Sequence, residues 1–291
     1  MQQQDLRRII WLASFPKSGN TWTRAFLANY LAPKGTKLTI NQLNQFSTGD
    51  VRQDFWDAAW GRPFQDQPVE TGVALRPKVL KLIAGSKPSH HFVKTHSRID
   101  RIEGQDLIPA SVTVAAVYII RNPFDLALSY ARHLSISIDE VIERMTSAGG
   151  VNITATQIPE FIGRWDNHVS SWTGARGLPL HLMRYEDMQA NTERSFRKLL
   201  EFLQIPQDMG ALRRAIRASR FKELRKQEQS EGFGEKPAGM DRFFASGTTG
   251  GWHSAMSADQ VRRIGEEFQL ALERHYPEML PQIHETMGSS R

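Results

Sequence analysis

The residues best suited to chemistry begin with Pro16-Lys17-Ser18-Gly19-Asn20-Thr21, a run of small and polar types between the apolar stretch Ile9 to Phe15 and a segment carrying Trp22, Phe26 and Tyr30. The apolar stretch predicts a buried strand and the segment to Leu31 an amphipathic helix, with a tight loop between them. Such a loop turns successive backbone N–H groups toward one point, where a helix N-terminus adds roughly half a positive charge. The natural guest is an anion. The order is not that of the nucleotide-triphosphate loop G-x-x-x-x-G-K-S/T, because Lys17 precedes Gly19 and no second glycine opens the loop.

Two further groups lie downstream. Phe92 and Val93 suit a short strand that delivers Lys94, Thr95 and His96 to its C-terminal end, where open α/β sheets bind their ligands. His90 and His91 stand close by, so His96 draws its meaning only from its place between the other groups. The third group follows residues 112 to 120, VTVAAVYII, a nearly unbroken apolar run of the kind found in a strand covered on both faces. Arg121 comes next, then Asn122 as a helix N-cap and Pro123 at the first helical position. Asn122, Asp125 and Ser129 fall at i, i+3 and i+7, a polar stripe along the helix that runs on to Leu134. Arg121 and Ser129 can thus both reach a phosphate at this second strand-to-helix junction.

At 291 residues the chain is long enough for a large α/β domain to position these groups, and one domain over residues 1–291 is the simplest account. The remaining pattern predicts a helix over 77–84 with Pro77 in its first turn, a helix over 138–147, and a strand over 180–183. Helices are predicted over 192–202 and 258–275 as well. Trp165, Val169 and Trp172 have helical spacing that core packing explains, and His168 is given no role. Residues 36–71 show no regular period; Trp56, Trp60 and Phe64 there suit either an acceptor pocket or a satellite core. Residues 229–253, rich in glycine and short polar types, read as a mobile lid or a surface loop.

Of 291 residues, 40% are hydrophobic and 23% charged, and no apolar run approaches the ~20 residues of a membrane helix. The start, MQQQDLRR, has no apolar core of an export signal, and there is no cysteine, so disulfides and thiol chemistry are excluded. A cytoplasmic location fits both. The net charge of +6 favours an anionic partner. Part of the excess lies in Arg213, Arg214, Arg217, Arg220, Lys222, Arg225 and Lys226, whose spacing suits a solvated helix face, and no nucleic-acid-binding motif accompanies it.

Taken in order, these motifs resemble the cytosolic-type sulfotransferase family, in its bacterial small-molecule form. Pro-Lys-Ser-Gly-x-Thr-Trp resembles that family's P-loop-like 5′-phosphosulfate loop, with Asn20 in place of a threonine; Lys94-Thr95-His96 resembles its second signature; YIIRNPFDLALSY, residues 118–130, resembles its 3′-phosphate site. The resemblance implies a single α/β domain with a central parallel β-sheet flanked by helices, 3′-phosphoadenosine 5′-phosphosulfate (PAPS) as co-substrate, 3′,5′-diphosphoadenosine (PAP) as product, and no metal. It implies His96 as the base, Lys17 and Lys94 on the transferring group, and Ser18, Gly19, Asn20 and Thr21 on the 5′-phosphate. Arg121 and Ser129 fall on the 3′-phosphate. Tyr185, in Tyr-Glu-Asp-Met, falls near the adenine; Ser219 beside it and Phe221 against its face, opposite Trp22, follow from Ser-Arg-Phe-Lys-Glu.

The match weakens at FFASGTTGGW, residues 243–252, where the family has F-x-R-K-G-x-x-G-x-W. Gly247 is retained, but Ala245 and Ser246 replace the basic pair, which leaves Arg242 to substitute. No counterpart of the family's dimer segment appears near residues 254–263, so oligomeric state is not read. The implied acceptor is a small hydroxyl compound, apolar or aromatic from the residues around it, with no nucleic acid and no membrane span. Two other readings stay open: an ATP-dependent small-molecule kinase, and a non-catalytic binder of nucleotides or nucleic acid. The first would need Mg²⁺-dependent ATP binding, the second a steep dependence on salt.

Overall fold

The computed structural model describes residues 6–153, 158–237 and 239–288. In chain order, β1 (Ile9–Ser14) leads into α1 (Asn20–Leu31), followed by α2 (Leu43–Phe46), β2 (Thr48–Gly49), α3 (Gln53–Trp60) and α4 (Val69–Gly85). Next come β3 (His91–Thr95), the antiparallel pair β4 (Arg101–Ile102) and β5 (Gln105–Asp106), then β6 (Thr113–Ile120), α5 (Pro123–Leu134) and α6 (Ile138–Thr146). A second antiparallel pair, β7 (Val151–Ile153) and β8 (Pro159–Phe161), precedes α7 (Trp165–Thr173), β9 (Leu180–Arg184), α8 (Tyr185–Ala190), α9 (Thr192–Phe202), α10 (Met209–Ala218) and α11 (Phe221–Glu231). The chain closes with α12 (Trp252–Ala255), α13 (Ala258–Glu267), α14 (Gln269–His275) and α15 (Leu280–Gly288).

Five strands form one parallel sheet in the order β2-β3-β1-β6-β9. The apolar runs of β1 and β6 lack polar alternation because the sheet is covered on both sides. Along β6, Ala116, Tyr118 and Ile120 join the larger core with Trp11, Phe124, Trp165 and Trp172. Val117 and Ile119 point the other way, to Leu12, Phe26, Leu27, Phe196 and Leu199. Register then does the positioning. Ala13 pairs with Thr95 and Ser14 with Ile119, so Lys17, His96 and Arg121 all leave the sheet along one edge.

Three expectations are corrected. The helix expected from Pro77 begins eight residues earlier, at Val69, and Pro77 sits inside it. Proline removes one rung of the helix, but Val73, Val79, Leu80 and Ile83 hold both sides of that point in the core. The segment 36–71, expected to be irregular, holds α2, α3 and the start of α4, pieces too short for a period to show. Trp56 and Phe64 there are fully buried in the main core, with Trp60 packed against it. The last expected helix is two, α13 and α14, parted at Phe268.

Behind the edge, Asp50 and Arg76 form an ion pair of 2.5 Å with both side chains 1% exposed. The same carboxylate oxygen accepts the Thr95 hydroxyl at 2.7 Å, tying the end of β3 to the turn after β2. Removing one partner of a buried pair strands the other charge. Asp50→Ala is therefore expected to destabilise the fold by about 3–5 kcal/mol, read as a lowered midpoint in urea at unchanged slope. Among the described residues no helix is long and apolar enough to cross a membrane.

Candidate functional site

After β1 the chain reverses through Lys17 at φ 69° and Gly19 at φ 111°, and α1 starts at once. Both residues lie in the left-handed region; at Gly19 an added Cβ would also sit 2.8 Å from the Tyr185 ring. No side chain caps α1, so the amides of its first turn remain available to a ligand. Asn20 does not face outward as a donor in the way a loop threonine would. Its amide bonds back to the Leu12 carbonyl at 2.9 Å and Ser14 Oγ at 3.4 Å, fastening the loop to β1. Lys17 Nζ is buried, has no hydrogen-bond partner among the described residues, and lies 3.5 Å from the centre of the Phe243 ring. Burial, then the nearby Arg121 and Lys94, lower its pKa to about 7.

At the end of β3, His96 Nδ1 lies 2.7 Å from the Ser14 carbonyl oxygen. A carbonyl only accepts, so Nδ1 carries the hydrogen and the lone pair sits on Nε2. Burial, then Lys94, holds the imidazole well below its ordinary pKa, hence neutral at pH 7. His168, given no role from sequence, supports this residue. Its Nε2 donates to the His96 carbonyl at 3.0 Å while Nδ1 accepts the Tyr118 hydroxyl at 2.8 Å, and Trp172 Nε1 donates to the Ser97 carbonyl at 3.2 Å.

Lys94 Nζ is 3.2 Å from Glu235, whose carboxylate also takes Arg24 Nη1 at 2.7 Å. Burial is the largest influence on Glu235 and opposes its charge, yet Lys94 and Arg24 together outweigh it and bring its pKa to about 2. Glu235 was not legible in the sequence, since its partners are 141 and 211 positions away.

At the third group, Asn122 caps α5 by accepting the Asp125 amide at 2.8 Å. Arg121 Nη1 donates to the Lys17 carbonyl and Nη2 to the Thr248 carbonyl, each at 3.2 Å, with the guanidinium 4.4 Å over the Tyr185 ring. Its Nε is buried without a partner among the described residues. Asp125 accepts the amides of Gly250 at 2.7 Å and Trp252 at 3.3 Å, and Glu228 those of Phe243 at 2.6 Å and Phe244 at 2.9 Å. Much of the glycine-rich segment is thereby held against the sheet edge, and it carries Glu235, Phe243 and Gly247 to the site. Gly247, at φ 65°, packs so closely on Phe221 that a Cβ would overlap the ring.

One cavity of about 1160 Å³ gathers these groups. Lys17, Gly19, Asn20, Thr21, Trp22, Lys94, His96, Arg121, Ser129, Tyr185, Phe221 and Gly247 all line it. Three residues singled out from the sequence do not. Ser18 is buried beneath the loop. Ser219 is buried and bonds its own helix at the Ala215 carbonyl, 2.9 Å away, and Arg242 is exposed and does not border the cavity. Arg213, Arg217 and Arg220, read as a solvated helix face, are exposed and also border the cavity. Among the described residues no cluster of three or more His, Asp or Glu could hold a metal ion.

The Sulfotransferase domain model matches residues 7–288. Cytosolic sulfotransferase 10 of Arabidopsis thaliana is 25% identical over 276 residues, 88% of this chain and 75% of that protein. Sulfotransferase 1E1 of Mus musculus is 26% identical over 279 residues, 89% and 81% of the two chains. Retinol dehydratase, solved with androsterone and the inactive cofactor PAP, superposes with a TM-score of 0.67 at 18% identity, over 95% of this chain and 84% of that one. Mouse sulfotransferase SULT7A1 complexed with PAP gives 0.60 at 17%, over 94% and 91%. A parallel sheet whose strand ends bring two strand-to-helix junctions into one cavity, together with a domain match over nearly the whole length, establishes that the chain belongs to the sulfotransferase family.

Proposed function

We propose that the protein moves the sulfuryl group of PAPS to a hydroxyl of a small acceptor, with His96 as base. The observation that carries this reading is the convergence of Lys17, Lys94, His96, Arg121 and Ser129, from three separate sequence segments, on one cavity. The lining fits the nucleotide: Lys17 Nζ and Arg121 Nε are buried donors without protein acceptors among the described residues. PAPS supplies an activated sulfate, whose bond to the 5′-phosphate breaks as the acceptor oxygen bonds sulfur.

The protein's part is alignment and charge. His96 Nε2 takes the hydroxyl proton. Lys17, Lys94 and the amides at the start of α1 neutralise charge on the sulfuryl oxygens and the leaving phosphate. Arg121 and Ser129 hold the 3′-phosphate, and Trp22 and Phe221 enclose the adenine beside Tyr185. Pro16, Val51, Tyr130, Leu134 and Phe244, on the same cavity, suit an apolar or aromatic acceptor.

A thermal-shift comparison tests the reading. PAP should raise the melting midpoint well above the shift from ADP or ATP at equal concentration, with no requirement for Mg²⁺. A larger, Mg²⁺-dependent shift with ATP would replace the transferase with a kinase.

A further inference from the structure

The stretch of residues 243–247 brings only uncharged side chains to the cavity, Ala245 and Ser246 among them, and Arg242 is exposed and outside it. A phosphate monoester held by Arg121 and Ser129 alone would keep at least one oxygen without a cationic partner. Arg132 lies three residues after Ser129 on α5, hence on the same helical face, and both line the cavity. Its Nη2 reaches to 3.5 Å from Ser246 Oγ, in the stretch that brings no cation of its own to the cavity. We propose that Arg132 is the second cation of the 3′-phosphate subsite, supplying from α5 a charge that the facing Ala245 and Ser246 do not.

This rests on the donor assignment above and adds a residue to it. Neither Arg121 nor Arg132 has an ion pair among the described residues. The two lie close enough that, after burial, Arg121 is the main influence lowering the Arg132 pKa, against Asp125, and Arg132 acts in the same sense on Lys17. Three neighbouring cations, with Asp125 acting on Arg132 and Glu228 on Lys17 only as partial counterweights, repel one another until an anion enters. A 3′-phosphate, with up to two charges and three terminal oxygens, matches two guanidinium forks and a hydroxyl.

Titration calorimetry of the full chain with PAP and with adenosine 5′-phosphosulfate, which lacks the 3′-phosphate, tests the assignment. Arg132→Gln should weaken PAP by about 10- to 100-fold, the usual worth of a charge-assisted bond to phosphate, and leave adenosine 5′-phosphosulfate unchanged. Adding Ala245→Arg to that variant should recover most of the loss. Unchanged PAP binding in Arg132→Gln, equal weakening of both ligands, or no recovery in the double variant would each overturn the proposal while leaving the donor assignment in place. A wild-type protein that binds PAP no better than adenosine 5′-phosphosulfate would overturn both.

Discussion

Replacing His96 with alanine is expected to lower turnover by roughly 10²- to 10⁴-fold and leave PAP affinity nearly intact, because a general base acts on the acceptor's proton and not on the nucleotide. The geometry prepares the ring for this. The Ser14 carbonyl, 2.7 Å from Nδ1, fixes the tautomer, so the free lone pair is on Nε2. Burial and Lys94 keep the imidazole neutral well below its ordinary pKa, and the acid limb of the pH–rate profile should accordingly fall on the acidic side of an exposed histidine's. The alanine variant should lose that limb along with its rate. Normal turnover with lost PAP affinity would move His96 from the chemistry to nucleotide binding.

Lys17→Met is expected to cost about 10²- to 10³-fold in turnover, the range for deleting one donor that stabilises charge in a water-poor site. It should also remove a pH dependence. In the free protein Lys17 titrates near 7, and the charges of a bound PAP raise that value, so binding above pH 7 takes up close to one proton. PAP affinity should then fall as pH rises from 7, at up to about tenfold per unit, and the slope should vanish in Lys17→Met. Calorimetry in buffers of different ionisation enthalpy reads the proton directly. The same shift acts on folding with a definite sign. The folded pKa lies below the unfolded 10.5, so the unfolded chain binds more protons between about 7 and 10.5. Stability without ligand therefore rises with pH through that window, and the full penalty is present below it. A flat affinity profile in the wild-type protein would remove Lys17 from the phosphosulfate subsite.

The parallel sheet and the tight turn between β1 and α1 were legible because β1 and β6 are continuous apolar runs followed at once by loop and cap residues, so local pattern and tertiary structure agree. The short pieces α2 and α3 were not, since four and eight residues leave no period to read. Contacts at long range were equally hidden. Nothing local in the glycine-rich stretch sets Glu235 apart, and His168 reads as one more polar residue in a tryptophan-spaced helix until its bonds to Tyr118 and the His96 carbonyl are seen. Arg132 follows the polar stripe of α5 by three residues. It acquires meaning only when folding brings Ser246, 114 positions on, beside it.

The bond from His96 to Ser14 has a bearing on how such an enzyme could diversify. Ser14 ends the strand that leads into the loop at Lys17, so the proposed base and the proposed donor-binding turn are tied directly to each other. Val51, Leu134 and Phe244 line the same cavity from other segments. New acceptors could be accommodated by exchanging those wall residues, with the reacting geometry inherited unchanged.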